Sequence, residues 1–120
     1  MIQFPYSYSF DGNSVQHIQK LREIFSDVDC FIEVRHSSWN NNRALEFFKE
    51  NNLTFCTIDQ PQIGQAIEFE PIITNDKAYI RFHGRNVDAW KESLLNFGKT
   101  QTYEEQSSRY SYLYSPGELV

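Results

Sequence analysis

Basic residues are scarce in this sequence. Lys and Arg total 11 against 16 Asp and Glu, giving a formal charge of -5 and a pI near 5.1. A dedicated nucleic-acid module presents a basic face, so this balance argues against one, while leaving room for a small basic cleft on an acidic protein. Cysteine is nearly absent. Cys30 and Cys56 lie at or near the starts of expected buried strands, in no Cys-x-x-Cys motif, and read as reduced core thiols of a reducing compartment. No apolar run approaches the ~20 residues of a membrane span. The opening Met1-Ile-Gln-Phe-Pro5 has neither the basic start nor the apolar segment of a signal peptide. A cytoplasmic protein without membrane association is expected. What is present suits a folded domain or a piece of one: 120 residues, 40% hydrophobic, 16% aromatic and 22% charged.

The central stretch is Phe31-Ile32-Glu33-Val34-Arg35-His36-Ser37-Ser38-Trp39. Alternation along a strand sends Ile32 and Val34 to one face and Glu33 and Arg35 to the other. Burying an unpaired charge costs several kcal/mol, so two charges on an inner face call for a shared site. The design recurs in Tyr79-Ile80-Arg81-Phe82-His83-Gly84-Arg85, and more weakly in Thr57-Ile58-Asp59.

Strands are expected at Ile2 to Phe4, Cys30 to Arg35, Thr54 to Asp59 and Ala78 to His83. Between the first two, Asn13 and Gln16 have capping-box spacing, and Val15, Ile18, Leu21 and Phe25 form the apolar stripe of a helix. A second helix runs from about Arg43 to Asn51, buried through Ala44, Leu45 and Phe48, with Asn52 as its C-terminal cap. Gln60 to about Asp76 is a long loop rich in Pro, Gly and Gln. Long loops of this kind are often functional. After Asn86 the pattern weakens: a short helix around Trp90, Leu94, Leu95 and Phe97 ends at Gly98, Arg109 to Tyr114 is extended, and Ser115-Pro116-Gly117-Glu118 is a helix start.

This βα alternation implies parallel pairing with right-handed crossovers. Gln3, Glu33, Arg35, Thr57, Asp59, Arg81 and His83 are all assigned to one side of the sheet. Helices would cover that side in a doubly wound fold, whereas in a (β/α)₈ barrel it is the interior, with the active site at the C-terminal mouth. The expected fold is therefore α/β, a partial TIM-type barrel of about four parallel βα units in a single partial domain, 1–120. Whole barrels take ~250 residues and eight strands.

The pieces Gln3-Phe4-Pro5, Glu33-Val34-Arg35-His36-Ser37-Ser38-Trp39, Asp59-Gln60-Pro61-Gln62, Tyr79 through Asn86, Arg109-Tyr110, Tyr114-Ser115 and Glu118-Leu119 resemble, in order and spacing, the YecE-like family, also catalogued as domain of unknown function 72. The resemblance runs nearly end to end. It implies a TIM-type barrel, with the strands here corresponding roughly to the family's fourth to seventh. The family's opening Gly-Ser-Gly-Trp strand, its second and third strands and its Asn-rich eighth have no counterpart. The chain then reads as an internal piece of the barrel or the product of a truncated or split gene. The family carries no settled reaction.

At the expected mouth, Glu33, His36, Asp59 and His83 are the candidate catalytic residues, and Arg35, Arg81, Arg85, Trp39 and Asn86 the candidate ligand-binding ones. Arginine presents a planar fork of donors suited to phosphate or carboxylate. Three readings compete. One is an anion site for a phosphorylated or nucleic-acid-like ligand, with hydrolysis as its chemistry. The second is a non-catalytic ion-pair network filling a structural fragment. The third is a metal-dependent endonuclease- or isomerase-like barrel using the His and carboxylate groups, against which three nearby arginines would repel a cation. No cofactor and no resident metal are expected. Self-association, or pairing with another half-barrel, follows from open strand edges.

Overall fold

The computed structural model describes residues 1–95, 108–110 and 112–119. Four parallel strands form one sheet in the order β1-β2-β3-β4: β1 Ile2–Gln3, β2 Cys30–Glu33, β3 Leu53–Asp59 and β4 Tyr79–Phe82. Helices α1 (Gly12–Ile24) and α2 (Asn42–Glu50) make the first two crossovers, and α3 (Val87–Leu95) follows β4. The arrangement is that of part of a TIM-type barrel. No helix among the described residues is long and apolar enough to cross a membrane.

α1 begins two residues earlier than the Asn13–Gln16 spacing suggests. Asp11 is the N-cap, its carboxylate accepting from Ser14 N at 2.8 Å. Ile18 is fully buried and Val15 and Leu21 pack beside it, but Phe25 is largely exposed, because the helix has ended. α2 is capped by Asn41 Oδ1, which accepts from Ala44 N, and buries Ala44, Phe47 and Phe48. Past its end Asn52 adopts φ 49°, the left-handed conformation expected of a helix stop. These helices cover the outer face of the sheet, where Phe4, Ile32, Val34, Leu53 and Phe55 join Ile18, Ala44 and Phe48 in one apolar core.

The β3–β4 connection has no helix. Its irregular chain lies along the sheet instead: Thr74 Oγ1 donates to Leu53 O and accepts from Phe55 N, Ile72 N donates to Thr57 Oγ1, and Ile67 enters the core. Near its start, residues 61–67 are fastened to the end of β2 by Ser37 N→Gln65 O at 2.8 Å and Ile67 N→Arg35 O at 2.8 Å. Ser108–Tyr110 is a 3-10 turn, not an extended segment. Ser115 to Glu118 makes one turn, with Glu118 Oε2 accepting from Ser115 N at 2.8 Å as a capping box requires. The expected helix end at Phe97 and Gly98 lies outside the described residues.

Register fixes the inner face. Ile32 pairs with Phe55, so Glu33 shares its face with Cys56; Ile58 pairs with Arg81. The inner face thus carries Gln3, Glu33, Arg35, Cys56, Ile58, Arg81 and His83. Thr57 and Asp59 lie on the opposite face, correcting the expectation that all the polar strand residues share one side. Every residue of β3 is buried, so polarity alone does not reveal its phase. Leu53 and Phe55 have the parity of Thr57 and Asp59, and their bulk fills the space beneath α2.

Candidate functional site at the strand ends

Glu33 is the centre of the inner face. It is fully buried, and a buried carboxylate stays charged only when it is paired. Two arginines do this. Arg35 Nε and Nη2 donate to Oε1 at 3.0 and 2.8 Å, and Arg81 Nη1, arriving from β4, donates to Oε2. Gln3 Nε2 adds a longer contact to Oε2 at 3.4 Å. Burial alone would raise the Glu33 pKa, but the two guanidiniums outweigh it and hold the carboxyl below its usual range. Cys56 Sγ lies 3.9 Å from Oε2; burial and that negative charge push its thiol up to about 12, so it stays protonated and inert. Both cysteines are free and buried, as core thiols are.

Glu33 uses one side of each guanidinium. Arg35 keeps its Nη1 group, and Arg81 its Nε and Nη2 groups, without a partner among the described residues. Their side chains remain 24% and 29% exposed. His83, two residues past Arg81, is buried with neither ring nitrogen hydrogen-bonded among the described residues. Burial and then the positive charges of Arg81 and Arg35 lower its pKa, so the imidazole is neutral at pH 7. With Glu33 balancing one arginine, the group carries a net charge of about +1 at neutral pH.

Over the strand ends lies a cavity of about 190 Å³ that Arg35 borders. Tyr6, Pro61, Ile63, Ala66 and Trp90 supply its other walls. Tyr6 OH accepts from Gln65 N at 2.5 Å and pins the loop that forms one side. Sequence reading assigned no site role to Tyr6 or Ile63. Their signal lay in the length of the loop after β3, which marks a segment rather than particular residues.

The remaining candidates are elsewhere or otherwise engaged. Asp59, on the outer face, is held by Arg85 Nε at 2.9 and 3.0 Å; Arg85 also reaches Glu118 Oε1 at 3.4 Å and lies over the Tyr114 ring. Arg85 therefore does not converge with Arg35 and Arg81, and Asp59 does not converge with Glu33. His36 has both ring nitrogens in contacts, with Ser38 Oγ at 2.8 Å and Gln65 Oε1 at 2.7 Å, and serves to fasten the loop. Trp39 is fully buried between Tyr8, Phe10 and Phe48, with Nε1 donating to Tyr8 O at 2.7 Å, so it is a core residue and forms no ligand platform. Asn86 Oδ1 accepts from Ala89 N and caps α3. No three His, Cys, Asp or Glu residues are grouped as metal ligands among the described residues.

Three comparisons place this arrangement among known proteins. UPF0759 protein YunF of Bacillus subtilis (strain 168) is 28% identical over 125 residues, which cover 99% of this chain and 42% of the relative. The crystal structure of a DUF72 family protein from Thermotoga maritima MSB8 superposes with a TM-score of 0.80 at 36% identity, over 98% of this chain and 40% of that one. A DUF72 family protein from Enterococcus faecalis V583 matches with a TM-score of 0.80 at 31% identity, over 98% and 42%. The chain thus spans about two fifths of the length of these relatives. The family model described as protein of unknown function DUF72 matches residues 1–120, and the chain belongs to the DUF72 family.

Proposed function

We propose that the mouth formed by these strand ends binds a small anion, a phosphate monoester or a carboxylate, on the open N–H groups of Arg35 and Arg81. One observation carries this reading: two arginines are oriented by the same fully buried carboxylate and still keep unused donors on partly exposed side chains. An ion-pair network that served only to fill a barrel would end with its charges balanced and its donors used. Here, among the described residues, one positive charge and several N–H groups are left over. Glu33 then acts as a positioning residue that holds both forks in place, and an arriving oxyanion meets donors already oriented for it. Hydrolysis of a bound phosphate ester is a second reading, supported by His83. It is the one group of the cluster that is neutral and able to accept a proton at pH 7.

Isothermal titration of inorganic phosphate into the 120-residue chain tests the binding. Saturable uptake is expected, weakened about tenfold by Arg81→Lys, which keeps the charge and loses the fork. Unchanged affinity in that variant would remove the proposed role of Arg81.

A further inference from the structure

We infer that the anion bound here carries a small, flat, apolar body, as in a monocyclic aryl phosphate or aryl carboxylate. This rests on the anion-binding reading above and adds to it what the rest of the ligand must be. The cavity beside Arg35 is about 190 Å³. That is about six times a water's share of the liquid, and below the roughly 300 Å³ at which drug-sized pockets begin. One ring with an anionic head fits such a volume; a nucleic-acid strand does not.

The wall chemistry selects the kind of ring. Among the described residues Arg35 is the only charged one lining the cavity, and no carboxylate borders it. Pro61, Ile63 and Ala66 are apolar, and Tyr6 and Trp90 present aromatic surface. The Tyr6 hydroxyl oxygen already accepts from Gln65 N, and its O–H remains a donor. Gln60, also in this wall, and Trp90 each hold a buried side-chain N–H with no partner among the described residues, so apart from the Gln60 amide oxygen the side-chain groups left over are donors. A sugar ring would bring several hydroxyls that need acceptors and leave most of them unpaired. An aryl ring needs none, gains from apolar burial, and can meet the aromatic edges.

The wall is also preformed. Besides the Tyr6 contact, the loop is held by Ser37 N→Gln65 O and Ile67 N→Arg35 O, both 2.8 Å, the two bonds that make the antiparallel bridge between His36 and Ala66. Arg35 therefore supplies the charge through its side chain and anchors the apolar wall through its carbonyl. Head and body are recognised by parts that cannot move independently, which favours one ligand of fixed shape.

Calorimetric titration of the chain with phenyl phosphate, ribose 5-phosphate and inorganic phosphate tests this. Phenyl phosphate should bind at least about tenfold more tightly than either of the others. Ile63→Ser should reduce that advantage several-fold and leave inorganic phosphate unaffected. Ribose 5-phosphate binding as tightly as phenyl phosphate, or an unchanged advantage in Ile63→Ser, would overturn the apolar body while leaving the anion reading intact. Absence of binding by all three would overturn both.

Discussion

At the scale of single residues, Glu33 decides whether the inner face can exist. Two guanidiniums converge on it, and without its charge they face each other with nothing between them. Glu33→Gln should lower stability by about 3–5 kcal/mol, the usual cost of removing one member of a buried ion cluster. Urea denaturation of the variant beside the native chain measures this. His83 makes a different prediction. Its pKa is lowered by burial and by Arg81 and Arg35, so the unfolded chain takes up a proton near pH 6.5 that the folded chain resists. Stability should be fully present above pH 6.5 and fall as the pH drops through the window below it, with a further loss below about 4.5 as Glu33, lowered in the fold, titrates in the unfolded chain. Melting temperatures between pH 8 and 5 should show the first loss, and His83→Gln should flatten it. The charged pair of β2 was legible in the sequence because no polar neighbour confuses the alternation of Ile32, Glu33, Val34 and Arg35. Trp39 was not: it directly follows the polar turn, and its descent into the core depends on Tyr8 and Phe10, contributed from 31 and 29 positions earlier.

At the scale of elements, the strands and helices were readable wherever a periodic apolar pattern met a recognisable stop, as at Asn52. β3 shows where the reading fails. All seven of its residues are buried, so neither face advertises itself, and its phase follows only from the pairing of Ile32 with Phe55. A one-residue change of phase exchanges the faces. This is why Asp59 was assigned to Glu33's side when it belongs with Arg85. The loop after β3 carries its own prediction. Gly64 has φ 60°, and a Cβ there would meet the Tyr6 hydroxyl at 2.9 Å. Gly64→Ala should cost about 1 kcal/mol from backbone strain. It should also displace the Tyr6–Gln65 contact and weaken phenyl phosphate more than inorganic phosphate. Denaturation and calorimetry on the same variant check both parts.

At the scale of the molecule, the sheet has two open edges among the described residues. β1 and β4 each pair on one side only, and on β4 Ile80 and Phe82 are 45% and 54% exposed on the outer face. The radius of gyration is 15.6 Å, against roughly 14 Å for a compact chain of this length. Unpaired edges next to exposed apolar side chains favour association. The 120 residues alone should therefore elute as a dimer or larger species in size-exclusion chromatography with light scattering. A monomer with one cooperative thermal transition would contradict this. The central claim, however, is local and can be read in whatever assembly forms: Arg35 and Arg81, oriented by Glu33, are an anion fork. Nitrogen-15 NMR of the arginine side chains during phosphate titration tests it most directly, with Arg35→Lys and Arg81→Lys supplying the assignments. The account predicts saturable shifts at Arg35 and Arg81, with Arg85, held by Asp59, little changed. Shifts that never saturate, or that are larger at Arg85 than at the other two, would contradict it.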